Sequence, residues 1–441
     1  MKRIQIVTLI VSIFLTSTLT TAQNSRKWSL VECINYALSN NIEVKSSTLT
    51  ILEASENLKQ AKESLFPTLS FSTSHNIINQ KTDDGQGNFS NSASYSGNYS
   101  LNSGITIYNG GTLTSTVKQK ELLHKSSELS KEEVKNNIEI TVTQAYLQIL
   151  YAGETVKTNI ETAALSMSQL ERAKALYEAG TISSVDLAQF QSQLSSDNYQ
   201  LTLSINTLEK SKLTLKQILE LGLNEEFDII VPELDDSSLL VQIPTVSEVY
   251  SQALEIMPQI ESSKVQIENA KIEKKISEAA MLPTITANAS VGTGNINNSS
   301  YTFSEQLNNR LTQSIGLSMS IPIFNKRSVK TQINKSNLQI ESALLNNTSA
   351  EKQLISTIEG LHQEAVSSRS RYLASKDKLK YYSQSYNLIN EQFNSGMKNT
   401  VELLTEKKNL LAAQQELLEA KFQSILSLKL LKFYQNESIS L

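Results

Sequence analysis

The sequence predicts an α+β membrane protein made of two tandem structural repeats, in which long coiled-coil helices carry the strands of a transmembrane β-barrel. Three observations predict it. The chain opens like an exported protein. One constant offset aligns its two halves. Within each half the apolar period changes from helical spacing to two and back again.

The 441 residues would fill two or three ordinary domains, yet only 39% are apolar and 6% aromatic, with 14 Gly and 6 Pro. That mix suits long polar-faced helices over small cores. A net charge of −4 gives no support for a nucleic-acid partner. Lys2 and Arg3 precede an apolar stretch, Ile4 to Leu19, and Thr20-Thr21-Ala22 reads as a cleavage site. Residues 1–22 are therefore expected to be a signal peptide, too rich in hydroxyls to make a good membrane anchor. The lone Cys33 has no partner for an intramolecular disulfide and reads as a small core residue.

The repeat shows first in two short stretches, "YEAGTISSVDL" from Tyr177 and "FNSGMKNTVEL" from Phe393, which lie 216 residues apart. The same shift pairs Gly180 with Gly396, Asp186 with Glu402, Pro67 with Pro283, Lys59 with Lys275, and Ile107-Tyr108-Asn109 with Ile323-Phe324-Asn325. A single register held over so long a span means duplication. Repeat 1 is read as 24–220, repeat 2 as 246–436, and 221–245 as a linker rich in Asp, Glu and Pro.

Each repeat opens with a helix. Ser29-x-x-Glu32 and Thr245-x-x-Glu248 are capping boxes, and the helices are expected to run to Pro67 and Pro283. The period then becomes two. Strands are predicted at about 67–77 and 98–108 in repeat 1, and at about 283–292 and 313–323 in repeat 2. The joining stretches 78–97 and 292–312, rich in Asn, Ser and Gly, read as loops. Helical spacing resumes after Asn109-Gly110-Gly111. A run from Thr112 to Tyr177 would reach on the order of 100 Å, which implies helices packed side by side.

Alternating strands also suit a soluble sheet with one wet face. The export signal and the small, hydroxyl-rich polar faces favour a barrel with lipid outside and water inside. Four strands cannot close a barrel, and an open edge cannot sit in lipid. Closure must come from further copies, and three copies give twelve strands with room for a pore.

The doubled helix–hairpin–helix–helix unit resembles the TolC-like outer-membrane efflux proteins. "LFPTLS" and "MLPTIT" lead into the strands, "ITIYNGG" and "SIPIFNKR" lead out of them, and an aromatic-x-x-Gly turn is present twice. The resemblance spans essentially the whole mature chain. It implies a homotrimer with a twelve-strand barrel in outer-membrane lipid and a long α-helical barrel in the periplasm. It also implies a passive, gated duct that works with a periplasmic adaptor (membrane fusion) protein and an inner-membrane pump. Such a duct serves tripartite efflux or type I secretion, exporting small molecules or proteins.

Ser183-x-x-Asp186 and Asn399-x-x-Glu402 are sound capping patterns, and helix capping alone accounts for both acids. The resemblance adds a periplasmic gate at these turns. Glu402 stands where the family keeps a ring-forming aspartate, and Thr405 where a second ring aspartate occurs, so the ring is expected to be weaker here. Lys398 stands where an arginine tethers the closed state. Phe393 replaces a tyrosine whose hydroxyl would have met Asp186. Gly180 and Gly396 mark the turn tips where an adaptor would dock. A latch of Lys398 with Asp186 and Glu402 is the expectation.

His75, His124 and His362 lie far apart without metal-ligand spacing, so no metal or cofactor is expected. G-x-x-x-x-G-K-[ST], G-x-S-x-G and H-E-x-x-H are absent from the sequence, and no catalytic residues are nominated. The rival reading is a periplasmic coiled-coil adaptor or scaffold without a pore, which would not need lipid-length alternating strands. An exported enzyme is the more distant rival. Cargo is not legible.

Overall fold

A computed structural model describes residues 27–83, 85–87, 89–232, 241–297 and 299–441. The expected signal peptide and part of the linker lie outside these residues. The elements in order are β1 (Lys27–Trp28), α1 (Leu30–Asn40), α2 (Ile42–Glu63), β2 (Thr68–Asp83), β3 (Phe89–Asn109), α3 (Thr112–Glu178), α4 (Ser184–Ile218), β4 (Asp228–Ile229), α5 (Val246–Ile256), α6 (Pro258–Ala279), β5 (Thr284–Ile296), α7 (Phe303–Asn309), β6 (Thr312–Ser320), α8 (Ser328–Asn394) and α9 (Thr400–Phe433).

Element lengths recur between the halves. α1 and α5 have 11 residues each, α2 and α6 have 22, α3 and α8 have 67. Left-handed backbone recurs at the same 216-residue offset: Gly110 and Lys326, Gly111 and Arg327, Gly180 and Gly396, Glu220 and Asn436.

Contacts divide the chain into two compact units that cut across the repeats. One comprises Lys45–Val134 and Ala253–Ser356 and holds the sheet. The strand order is β2-β3-β5-β6, antiparallel throughout, with β2 and β6 as open edges. Directly opposed residues share a face. One face carries Leu69, Phe71, Leu101, Ile105, Ala287, Val291, Ile315, Leu317 and Met319; the other carries serine, threonine and asparagine. On the polar face, Ser72 and Ser100 hydroxyls meet at 2.7 Å, as do those of Ser290 and Ser314. The apolar face is bare, with Phe71 67% and Ile315 91% exposed.

The second unit comprises Met1–Val44, Lys135–Gln252 and Thr357–Leu441. Its core is built on Val142, Tyr146, Leu150, Leu215, Val249 and Leu431, all buried. β1 pairs in parallel with β4, and Tyr146 Oη lies 2.5 Å from Ile230 O and 3.2 Å from Trp28 O. Cys33 is fully buried, and its thiol is pushed up to about 12 by burial and by Glu32. It is the core residue its sequence context suggests.

Several boundaries differ from expectation. The opening helix does not run unbroken to Pro67. It breaks at Asn41, whose side chain donates to Ile218 O (3.1 Å) while accepting from Glu43 N (2.8 Å), and it ends at Glu63. Its counterpart restarts at Pro258, as proline at a first helical position favours, and ends at Ala279. The stretch 78–97 is mostly strand, because small polar residues still supply a complete backbone ladder; β2 and β3 pair as far as Asp83↔Phe89. The turn beyond uses Gly85 at φ +78 and Gly87 at φ +88. β5 runs on to Ile296, and the stretch read as a loop also contains α7, capped by a Thr302–Glu305 box. β6 stops at Ser320 rather than 323, since Pro322 has no N–H for the ladder.

Candidate functional site at the paired helix turns

The turn after α3 forms because Gly180 takes φ +71, which lets Thr181 N donate to Leu176 O (2.9 Å) and Gly180 N to Tyr177 O (2.9 Å). The turn after α8 repeats this. Gly396 takes φ +74, Met397 N donates to Gln392 O (2.9 Å) and Gly396 N to Phe393 O (3.0 Å). This is the glycine-dependent end expected where a helix must reverse in few residues.

Both following helices are capped as the spacing predicts. Asp186 Oδ2 accepts from Ser183 N (3.1 Å) and Ser183 Oγ (2.6 Å), and Asp186 N donates back to Ser183 Oγ (3.1 Å). Glu402 Oε2 accepts from Asn399 N (3.1 Å), and Glu402 N donates to Asn399 Oδ1 (2.9 Å). Each carboxylate also has a second partner. Lys398 Nζ lies 2.5 Å from Glu402 Oε1, one helical turn away. Thr400, almost fully buried, lines the same cleft as Asp186, and its hydroxyl is among the groups that lower the Asp186 carboxyl.

The electrostatics follow. Asp186 is held below the usual carboxylate range by the Ser183 hydroxyl first and the Thr400 hydroxyl second. Glu402 is lowered mainly by Lys398, then by Asn399 N–H. Lys398 therefore pairs with Glu402, while Asp186 makes no ion pair among the described residues. Proximity decides this, since Lys398 and Glu402 are i,i+4 neighbours on one helix start.

The remaining candidates are distributed around these. Phe393 packs edge-to-face on buried Phe190, with ring centroids 5.8 Å apart. It joins a cluster with Leu170, Ala173, Tyr386 and Leu403, so four helices meet there. Thr405 is exposed and lines a shallow groove with Gln189, Gln193 and Lys408. Gly180 and Gly396 stand free, with nothing within 4 Å of a notional Cβ. Asp186, Phe393, Lys398 and Thr400 line one open cleft between the turns.

Sequence reasoning missed a buried polar cluster deeper in the same bundle. Lys407 is 1% exposed, and its Nζ lies 2.9 Å from Asp197 Oδ2. Lys407 also donates to Ser166, which bonds Asp197, and Gln193 Nε2 donates to Asp197 Oδ1 (2.9 Å). The signal was available. Lys407 falls four residues after Leu403 and three before Leu410, inside the apolar stripe, and Asp197 is seven after Phe190.

Among the described residues no helix is long and apolar enough to cross a membrane, and no three His, Cys, Asp or Glu side chains group as metal ligands. An open antiparallel sheet with one apolar and one polar face, together with long helices that reverse at acid-capped turns, is the make-up of a channel-type α+β membrane protein. The chain belongs to the outer membrane efflux protein family, whose model matches residues 33–220 and 249–433. It is 24% identical to toxin and drug export protein A of Aggregatibacter actinomycetemcomitans over 398 residues, 89% of this chain and 82% of that one. It is 22% identical to the outer membrane efflux protein BepC of Brucella suis biovar 1, over 94% of this chain and 87% of the relative. The fold is similar to that of CusC, with a TM-score of 0.80, 16% identity and 95% of each chain covered. The protein is an outer-membrane efflux channel component, with its helical part in the periplasm.

Proposed function

We propose that three copies close one twelve-strand barrel and form a passive duct, gated at the paired turns and energised by a separate inner-membrane pump. The open edges β2 and β6 and the bare apolar face support closure by other copies, because a spanning sheet must satisfy every backbone group in lipid. Tyr95 and Tyr99 lie on the apolar face beyond Leu101, where an aromatic girdle would sit. Relatives are named for export of toxins, drugs and pyoverdine, so the cargo class is small molecules or proteins.

The observation that carries the gate is the open cleft between the α3–α4 and α8–α9 turns, where Asp186 faces Lys398 and Thr400 and the Thr400 hydroxyl is among the groups that lower the Asp186 carboxyl. Lys398 and Glu402 brace the α8–α9 turn, and three Glu402 carboxylates around one axis would favour cations over anions. Thr405 adds no charge to that ring, and Phe393 holds the turn by packing alone. A periplasmic adaptor would seat on the free tips at Gly180 and Gly396, beside exposed Val185, Met397 and Val401.

Single-channel recording in planar bilayers tests the gate. Thr400→Val keeps the buried shape but removes the hydroxyl, and should raise mean conductance severalfold. Glu402→Gln should reduce cation selectivity. Wild-type conductance in Thr400→Val would refute the Thr400 hydroxyl as part of the closed-state latch.

A further inference from the structure

The two repeats differ in chemistry where the sheet hands over to the long helices. The junctions occupy equivalent positions, Asn109-Gly110-Gly111 before α3 and Asn325-Lys326-Arg327 before α8. Both take the same left-handed turn. Gly110 and Gly111 adopt φ +67 and +83, and Lys326 and Arg327 adopt φ +51 and +68. Glycine takes this backbone freely, whereas a residue with a Cβ is strained in it.

Two further penalties fall at the same place. Lys330, where repeat 1 has Thr114, puts a third cation within four residues of the other two, and like charges at that spacing repel. All three stand at the start of α8, where the helix dipole opposes positive charge. No carboxylate offsets them. Lys326, Arg327 and Lys330 are exposed and make no ion pair among the described residues, and the chain carries five cations and no acid between Glu305 and Glu341. In repeat 1 the first charges past the junction include Lys118 and Glu121, which pair with each other at 3.2 Å.

The unpaired cations adjoin bare apolar side chains. Ile323 is 96% exposed and Phe324 83%. Along the chain the order is aliphatic, aromatic, then cationic, which is the order met on passing from acyl chains to headgroups at a membrane surface. The helical part is periplasmic, so this junction belongs to the periplasmic boundary of the sheet.

We propose that the β6–α8 junction binds an anionic phospholipid of the leaflet facing the periplasm, with Lys326, Arg327 and Lys330 on the headgroup phosphate and Ile323 and Phe324 against the acyl chains. Arginine can hold two phosphate oxygens at once, and the lysines add point charges. Gly110, Gly111 and Thr114 carry no charge, so each copy holds one such site rather than two. The proposal rests on the sheet's lying in lipid, and not on how many copies close the barrel.

Tryptophan quenching tests it. The full chain carrying Phe324→Trp, with the sole native tryptophan removed as Trp28→Phe, is reconstituted into mixed vesicles of phosphatidylcholine and phosphatidylglycerol, with one lipid or the other brominated on its acyl chains. At about 0.1 M salt, phosphatidylglycerol should be preferred at the junction about fivefold, and the preference should vanish at about 1 M. Lys326→Gly/Arg327→Gly/Lys330→Thr writes in the residues that repeat 1 uses and should abolish the preference, while Arg327→Lys keeps the charge and should retain most of it. Equal quenching by the two lipids in the parent protein, or an unchanged preference in the triple variant, would overturn the site. So would loss of the oligomer in the triple variant, which would make the cations contacts to a neighbouring copy. Quenching by neither lipid would instead overturn the placement of the sheet in lipid.

Discussion

At the residue scale, the acids at the turns do more than cap. Asp186 and Glu402 cap their helices, Glu402 also pairs through its other oxygen with Lys398 of the same turn, and both carboxyls sit below their ordinary range. A depressed carboxyl pKa stabilises the fold fully above the unfolded value, near 4, and loses that contribution as pH falls through the depressed value. Conductance should therefore be flat from pH 8 to pH 5 and rise only below about pH 4. Deeper in, Lys407→Met would strand Asp197 without its cation. Thermal unfolding in detergent should register a loss of about 3–5 kcal/mol, largely recovered in Lys407→Met/Asp197→Leu. The two caps were legible because they are local patterns of four residues. The meeting of Thr400 and Asp186 in one cleft was not, because these residues lie far apart in sequence; only their nearness to paired turns hinted at it.

At the element scale, legibility followed periodicity. The 67-residue helices and the alternation of Ile315, Leu317 and Met319 were plain. The outer parts of β2 and β3 were hidden because Ser90 to Ser96 lack the apolar alternation that marks a strand; the ladder there is sustained by backbone alone. The break at Asn41 was hidden because a backbone carbonyl far away in sequence, Ile218 O, accepts from the Asn41 side chain and completes it. The sheet depends on close backbone approach at Gly294, where a Cβ would lie 2.6 Å from Gly97 O. Gly294→Val should part β3 from β5 at a cost of about 1–3 kcal/mol, seen as a lowered thermal unfolding midpoint in detergent. At the turns, Gly180→Ala or Gly396→Ala forces a left-handed alanine and should cost about 1–2 kcal/mol each by thermal unfolding.

At the scale of the whole molecule, duplication was the most readable fact and partition the least. The offset is visible in single letters, yet the compact units interleave the repeats, since β3 pairs with β5 and the long helices run through both. The equal lengths of α3 and α8 carry a consequence for how such a chain can change over generations. Leu170 and Ala173 of one helix and Tyr386 of the other meet in one cluster close to their ends. A deletion of one heptad in α3 alone would lift its turn by roughly 10 Å relative to the other. Descendants that lengthen or shorten their reach are therefore expected to do so in both halves together, by matched whole heptads. Unmatched length changes should be confined to the strand-joining segments, where no counterpart has to keep step.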